Sequence, residues 1–233
     1  MNALATQAYT WQCGGENAYA CSVVEWGDRS LPGMATWKNG ALGPGCNGAV
    51  PWEVIILAAN ELNQDIWINI PVTASSPFVR GTRTPASDTE TYVYQLAQLL
   101  KDGNAYTDHK GVAGKIFIEH SNEVWNFGFK QYSLNKAAAA WEVNSTHGKS
   151  NLAGNFLPGF RRDGWANCAY TPEMKNQECW AHRRHARRVW EIGKTFADVF
   201  GRDAIGKQIQ PVYASWMIPS RWNEYYNHTL QPG

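Results

Sequence analysis

Lys115-Ile116-Phe117-Ile118-Glu119-His120-Ser121-Asn122-Glu123-Val124-Trp125-Asn126 opens as an apolar run of strand type and ends, in one step, in amide, carboxylate and indole side chains. Parallel α/β sheets bind their ligands beyond the carboxyl ends of the strands, so this run predicts both a sheet and the place where its chemistry sits. Upstream, Asp65–Pro71 reads as a buried strand with β-branched residues at alternate positions and Pro71 as its stop. A helix beginning at Pro51 precedes it, with Val54, Leu57, Ala58 and Leu62 as the expected apolar stripe. Between the two strands, Ser87-Asp88-Thr89-Glu90 has the form of a capping box. It heads a helix that turns Tyr92, Val93, Leu96, Leu99 and Leu100 inward and stops before Gly103.

Downstream, Phe129–Val143 reads as a helix carrying an alanine run of high propensity. Residues 147–177 lack either periodicity and read as an inserted excursion. Glu178–Gly201 returns to helix, with Val189, Ile192, Phe196 and Val199 on one face. Gln208–Trp216 is a last strand in which Pro211 calls for a bulge or irregularity. Residues 1–50 are rich in Gly, Asn and Pro and offer two short strand candidates, Thr6–Gln12 and Val23–Trp26. This alternation is βαβ rhythm, which implies a parallel sheet with right-handed crossovers. Three strands, or five with the upstream candidates, fall short of a complete eight-stranded barrel of about 250 residues. The expected fold is therefore α/β, a partial (β/α)8 TIM barrel with long loop insertions. Residues 1–233 would form a single domain incomplete at both ends.

Lys plus Arg is 21 and Asp plus Glu is 20, a net charge of +1, which argues against gripping nucleic acid or an anionic membrane as the main task. No apolar run approaches the roughly 18 residues of a membrane span. The first residues lack the basic start and long apolar stretch of a signal peptide. Twelve Trp and ten Tyr stand beside a charged fraction of only 18%. Aromatic rings serve as core packing, or line a cleft against the flat face of a sugar. Of five cysteines, Cys13 with Cys21 and Cys168 with Cys179 lie at short range in turn-rich segments, leaving Cys46 over. Such pairs suit disulfides and an oxidising compartment. Zinc is disfavoured because no Cys-x-x-Cys occurs, and no metal or cofactor is expected.

A carboxylic acid works as a general acid near neutral pH when an apolar surround disfavours its anion, and Glu123, followed by Val124 and Trp125, can meet such a wall. Glycosidases need two carboxyls, about 5–5.5 Å apart for retention or roughly 6.5–9.5 Å for inversion, and only one is evident here. Ser121-Asn122-Glu123-Val124-Trp125-Asn126 at a strand end resembles the fourth-strand motif of the clan A retaining glycoside hydrolases, which are (β/α)8 barrels. The wider pattern of Pro51-Trp52-Glu53, Leu57-Ala58-Ala59-Asn60 and Asp65–Pro71 is similar to secreted bacterial proteins described as cellulose-binding or cellulase-like. The resemblance covers Pro51 to Gln131, with weaker echoes at Trp26-Gly27-Asp28-Arg29. It implies Glu123 as the acid/base and Asn122 as a sugar-contacting amide. It also implies a nucleophile on a later strand, outside this chain, and secretion. At Val72 the sequence departs from related sequences, which carry His there.

Other positions carry two readings each. Asn69 shares a strand face with Trp67 near the carboxyl end and can line the cleft, while Trp67 itself reads as core. His120 is a substrate contact or a buried histidine, and Glu119 a core-edge carboxylate paired with Arg. Trp125, Asn126 and Trp216 are candidate sugar contacts. Trp26 and Arg29 either bind sugar or support an ion pair with Asp28. In His182-Arg183-Arg184-His185-Ala186-Arg187-Arg188 the four arginines are expected to fan out over the solvent side of a helix. The functional expectation is hydrolysis of a β-linked polysaccharide or oligosaccharide, with a carbohydrate-binding protein that never cleaves as the alternative.

Overall fold

A computed structural model describes residues 23–35, 37, 49–79, 87–146, 150–153 and 177–215. Three parallel strands, β1 (Ile66–Ile70), β2 (Ile116–His120) and β3 (Ile209–Val212), form a sheet in the order β1-β2-β3. Four helices accompany them: α1 (Trp52–Glu61), α2 (Tyr92–Asp102), α3 (Lys130–Ser145) and α4 (Gln177–Phe200). The chain is thus α/β with a parallel sheet, as its rhythm predicts. The described residues contain three strands and no closed barrel. Of the upstream strand candidates, Thr6–Gln12 lies outside the described residues. Val23–Trp26 supplies only a single bridge, Val24 to Ala74, before a 3-10 turn at Trp26–Asp28.

Register follows the isoleucines. Ile66, Ile68 and Ile70 stand opposite Ile116, Ile118 and His120, and Ile116 stands opposite Ile209. Period-two alternation puts these on one face, where they join Trp52, Ile56 and Ala59 of α1, Val93, Leu96 and Leu100 of α2, and Ile192 and Phe196 of α4 in one core. The other face carries Trp67, Asn69, Phe117, Glu119, Gln210 and Val212. β1 is therefore buried on one face only. Trp67, expected in the core, is 56% exposed.

Three sequence expectations are corrected by the packing. In α1 the buried stripe is Trp52, Ile56 and Ala59, while Leu57 and Leu62 are exposed. The run Val54-Ile55-Ile56-Leu57-Ala58-Ala59 is apolar all round, so periodicity cannot choose its inner face, and the Arg29–Glu53 ion pair (3.1 Å) fixes it together with the Trp52–Tyr92 (2.8 Å) and Asn60–Gly111 (2.8 Å) hydrogen bonds. The capping box before α2 is not made: Ser87 Oγ meets Thr89 Oγ1, and the free Tyr92 N–H donates to Ser75 Oγ at 2.9 Å. α2 nonetheless buries the expected residues and ends at Gly103, whose φ of +67° and close approach to Lys110 O exclude a side chain. Pro211 causes no bulge. The Ile116 N–H donates to Gln208 O, so the even-numbered residues of β3 bond to β2 and the missing N–H of Pro211 faces away.

The largest correction concerns α4. Arg184 and Arg188 are not solvated: they are 2% and 0% exposed. They sit four apart, on the stripe that continues through Ile192 and Phe196, so the helix carries two guanidinium groups into the interior. Each is met by fixed acceptors. Arg188 donates to Ser76 Oγ (2.8 Å), Ala74 O (3.3 Å) and Glu191 Oε2 (2.8 Å), and Arg184 to Asn135 Oδ1 (2.7 Å) on α3. Burial of a charge is tolerable only with such partners. Val189 is only half-buried, since Arg188 takes the inward position beside it. A second cluster, Ala139, Val143, Leu152, Ala153, Cys179 and Trp180, seats α3 against α4. Cys179 is disulfide-bonded, while Cys13, Cys21, Cys46, Cys168 and most of the 147–177 excursion lie outside the described residues. No helix among the described residues is long and apolar enough to cross a membrane.

Arg188→Leu removes the guanidinium from Glu191, Ser76 and the Ala74 carbonyl at once. Glu191 keeps Arg187 at 3.3 Å, so the expected loss is about 3 kcal/mol, at the lower end for a broken buried pair. Urea denaturation of parent and variant at pH 7 measures it, and an unchanged midpoint would refute the role given to Arg188.

Candidate functional site

β2 ends at His120 and the chain turns at once. Ser121 and Glu123 both take left-handed backbone conformations, with φ of 62° and 49°. For residues with a Cβ this costs about 1 kcal/mol or more each. The turn is held from inside and outside. Val124 is buried against Val72 and Leu134. The Ser121 N–H donates to Glu119 O at 3.0 Å, and Gln131 Nε2 on α3 donates to Asn122 O at 3.1 Å. Burying a valine contributes roughly 1.5–3 kcal/mol, enough to offset the strain of one or two such residues. Val72, where the family resemblance expects His, therefore has an apolar task in this chain.

The turn leaves Asn122 and Glu123 half-buried at the carboxyl end of the central strand. Asn126 fixes the Glu123 carboxylate: its Nδ2 donates to Glu123 Oε2 at 2.7 Å, its backbone N–H to Glu123 O at 2.9 Å, and its Oδ1 accepts from the Gly128 N–H at 3.0 Å. The amide is thus oriented at both ends. Trp125, between them, is half-buried.

Glu119 lies one strand-step before the turn, opposite Asn69. Its carboxylate accepts the Trp67 indole N–H at 2.9 Å and the backbone N–H of Glu123. It is not paired with an arginine, as its sequence neighbourhood suggested. Burial pushes its carboxyl above the ordinary carboxylate range, the two N–H donors oppose that rise, and the nearby Glu123 charge adds to it. Two carboxyls, Glu119 and Glu123, therefore share one corner of the sheet.

His120 points to the opposite face and is buried, at 1% exposure, against His185 of α4. Their Nδ1 atoms are 3.0 Å apart, and His185 Nε2 lies 2.9 Å from Ala214 O. A carbonyl only accepts, so His185 carries its proton on Nε2 and receives the His120 Nδ1–H. Both rings are then neutral. Burial holds His185 down to about 4 and His120 well below its usual value, the latter helped by His185, Arg188 and Arg184. His120 is in this way withdrawn from ligand contact. No cluster of three or more His, Cys, Asp or Glu able to hold an ion occurs among the described residues.

Trp26 and Arg29 belong to a different neighbourhood. The Arg29 guanidinium lies 3.9 Å from the Trp26 ring and pairs with Glu53, and Trp26 packs edge-on against Tyr92 at 5.4 Å. The ion-pair partner is Glu53 and not Asp28, whose carboxylate accepts the Glu25 N–H at 2.8 Å. Trp216 lies outside the described residues. Asn69, Glu119, Glu123 and Asn126 are thus joined at one corner, with Asn122 in the same turn. Sequence reasoning named Trp67 and Glu119 but assigned them to the core and to an arginine pair, and it did not foresee His185 as the partner of His120 on the opposite face. For the first two the signal was available, since Trp67 and Asn69, like Phe117 and Glu119, share a face by alternation.

No family model, curated protein or solved structure matches the chain. What the fold and the corner define is an α/β protein with a strained, carboxylate-bearing turn at the end of its central parallel strand.

The histidine pair makes stability acid-sensitive. A neutral buried His has a folded pKa below its unfolded value near 6.5, so the unfolded chain binds protons first as pH falls. The stabilisation is complete above that value and is lost between pH ~6.5 and about 4. For His185 alone this amounts to roughly 3 kcal/mol. Glu119 works in the opposite direction, as its raised carboxyl favours the folded state more at low pH. Urea midpoints measured from pH 7.5 to 4.5 should fall, and His185→Phe should flatten the slope. A pH-independent midpoint would contradict the assignment.

Proposed function

We propose that the chain is part of a retaining glycoside hydrolase acting on a β-linked polysaccharide, with Glu123 as acid/base. The observation that carries this reading is the Glu123 carboxylate itself. It stands at the carboxyl end of the central parallel strand, in a left-handed turn, oriented by a doubly anchored Asn126 amide. Strained backbone concentrates where a side chain must be aimed, and strand ends are where α/β sheets do chemistry. The motif's resemblance to the clan A enzymes supports the same assignment.

In this reading Glu123 protonates the glycosidic oxygen and then takes a proton from the attacking water. Asn122 holds the hydroxyl next to the reacting carbon. Asn126 keeps one carboxylate oxygen occupied, leaving the other for the proton transfer. Retention needs a second carboxyl about 5–5.5 Å away as nucleophile. Glu119 is engaged by the Trp67 indole and the Glu123 backbone, so the nucleophile is assigned to a later strand outside this chain. The disulfide at Cys179 supports an oxidising, extracellular setting. A binding-only reading draws on the outward-facing Trp67, which offers a ring for contact without requiring a nucleophile.

Glu123→Gln keeps the shape and the Asn126 contact but removes the titrating oxygen. In the polypeptide that also carries the nucleophile, release of reducing ends from a β-linked glucan should fall by about 10²–10⁴, with oligosaccharide affinity retained. Full turnover in the variant would remove Glu123 from the chemistry. No turnover in the parent alongside intact binding would favour the binding-only reading.

A further inference from the structure

Glu123 is flanked by two residues that one helix holds. Asn122, before it, gives its carbonyl oxygen to Gln131 Nε2 at 3.1 Å. Val124, after it, is buried against Leu134. Gln131 and Leu134 stand three apart on α3, on an inner stripe that continues through Asn135, Ala138 and Ala139, all of them buried. The stripe is anchored to α4, because Asn135 Nδ2 donates to Ala181 O and Asn135 Oδ1 accepts from Arg184, each at 2.7 Å. At 2% exposure the Gln131 amide occupies a place where an apolar side chain would contribute more to packing. Burying an amide is tolerable only where a partner receives it, and the partner of Gln131 Nε2 is the turn.

We infer that Gln131 is a positioning residue for Glu123: it clamps the peptide unit that enters Glu123 and so aims the carboxylate. The Asn122 C=O and the Glu123 N–H belong to one planar unit. Rotating that plane changes ψ of Asn122 and φ of Glu123 together, so an oxygen held from α3 keeps φ of Glu123 at 49°. The N–H at the other side of the unit meets the Glu119 carboxylate. Without a hold, a residue with a Cβ leaves the left-handed region for negative φ. That rotation re-aims the side chain and takes Glu123 Oε2 away from the Asn126 amide that meets it at 2.7 Å. Val124 packed against Leu134 resists displacement of the turn, but apolar contact has no direction and does not stop a peptide plane from rotating. A hydrogen bond is directional and does. Asn122 shares the clamp, since the same plane sets its ψ. The catalytic consequence rests on the hydrolase reading, whereas the clamp itself can be tested without turnover.

The full chain, labelled with 13C and 15N, is compared by NMR with Gln131→Met, which keeps the length of the side chain and removes its amide. A positive φ brings the amide proton and Hα of one residue close together and gives a strong intraresidue NOE. Glu123 should show that NOE in the parent, and in Gln131→Met it should fall to about half or less as the plane is released. In the polypeptide that also carries the nucleophile, kcat on a β-linked glucan should fall about 10–10²-fold with KM within about threefold, because the ground-state contacts remain while the reacting groups are misaligned. Circular dichroism establishes folding. If Gln131→Met does not fold, Gln131→Asn, one methylene shorter, keeps an amide in the site and is read in the same way. No strong Glu123 NOE in the parent, or an NOE unchanged in a folded variant, would overturn the clamp. So would a lower kcat with the turn unaltered, since Gln131 would then act by another route. The two readings fail separately. A Gln131-dependent turn in a polypeptide without turnover keeps the clamp and removes the hydrolase. Turnover that needs Glu123 but is unchanged in Gln131→Met keeps the hydrolase and removes the positioning role.

Discussion

The fully buried guanidinium of Arg188 is the constraint on which the carboxyl end of the sheet depends. A charge inside a protein must find acceptors, and Arg188 finds them in Ser76, in the Ala74 carbonyl and in Glu191. Two of these belong to the segment that leaves β1, so one side chain of α4 ties down the connection at the carboxyl end of that strand. The same segment receives Val24 in a parallel bridge, and Ser75 supplies the oxygen that caps α2. Three elements distant in sequence are thus referenced to one point.

A second tie runs parallel to the first. His185 lies one position before Ala186 on the same helix, three residues ahead of Arg188, and hydrogen-bonds both His120 at the end of β2 and the Ala214 carbonyl beyond β3. α4 therefore holds the ends of all three strands with polar contacts while its Ile192 and Phe196 pack beneath the sheet. Such contacts are directional, unlike apolar packing, and they fix where each strand stops. The turn at Ser121–Glu123 begins immediately after His120, so its strained backbone starts from an anchored residue. Strain of this kind persists only where the surroundings over-determine it.

The polar corner divides by face. Alternation along β2 sends His120 into the helix-covered face and Glu119 to the open one. The first becomes structural, as a neutral partner of His185. The second becomes a link between the exposed indole of Trp67 and the backbone of Glu123. Adjacent residues of one strand therefore hold α4 on one face and the turn on the other, and the carboxylate that carries the proposed chemistry comes from the turn beyond it.

Periodicity and breaker residues by themselves determined the strand and helix order, the parallel sheet, the inner face of α2, the stop at Gly103 and the polar end of β2. These are local properties, set by alternation, propensity and backbone freedom within a few residues. Tertiary structure alone decided the rest. Residues Val54 to Ala59 are apolar on every side, and tertiary polar contacts of Trp52, Glu53 and Asn60 with Tyr92, Arg29, Asn104 and Gly111 fix which side faces in. Arginines four apart look alike whether solvated or buried, and only the presence of Asn135, Ser76 and Glu191 nearby made burial possible. Trp67 has the composition of a core residue, yet it is exposed because the helices that share the sheet's core occupy only the opposite face. The motif from Ser121 to Asn126 was legible as a polar turn at the end of a strand. Its geometry, with Asn126 as the orienting amide and Glu119 as the neighbour, comes from contacts that no spacing in the chain encodes.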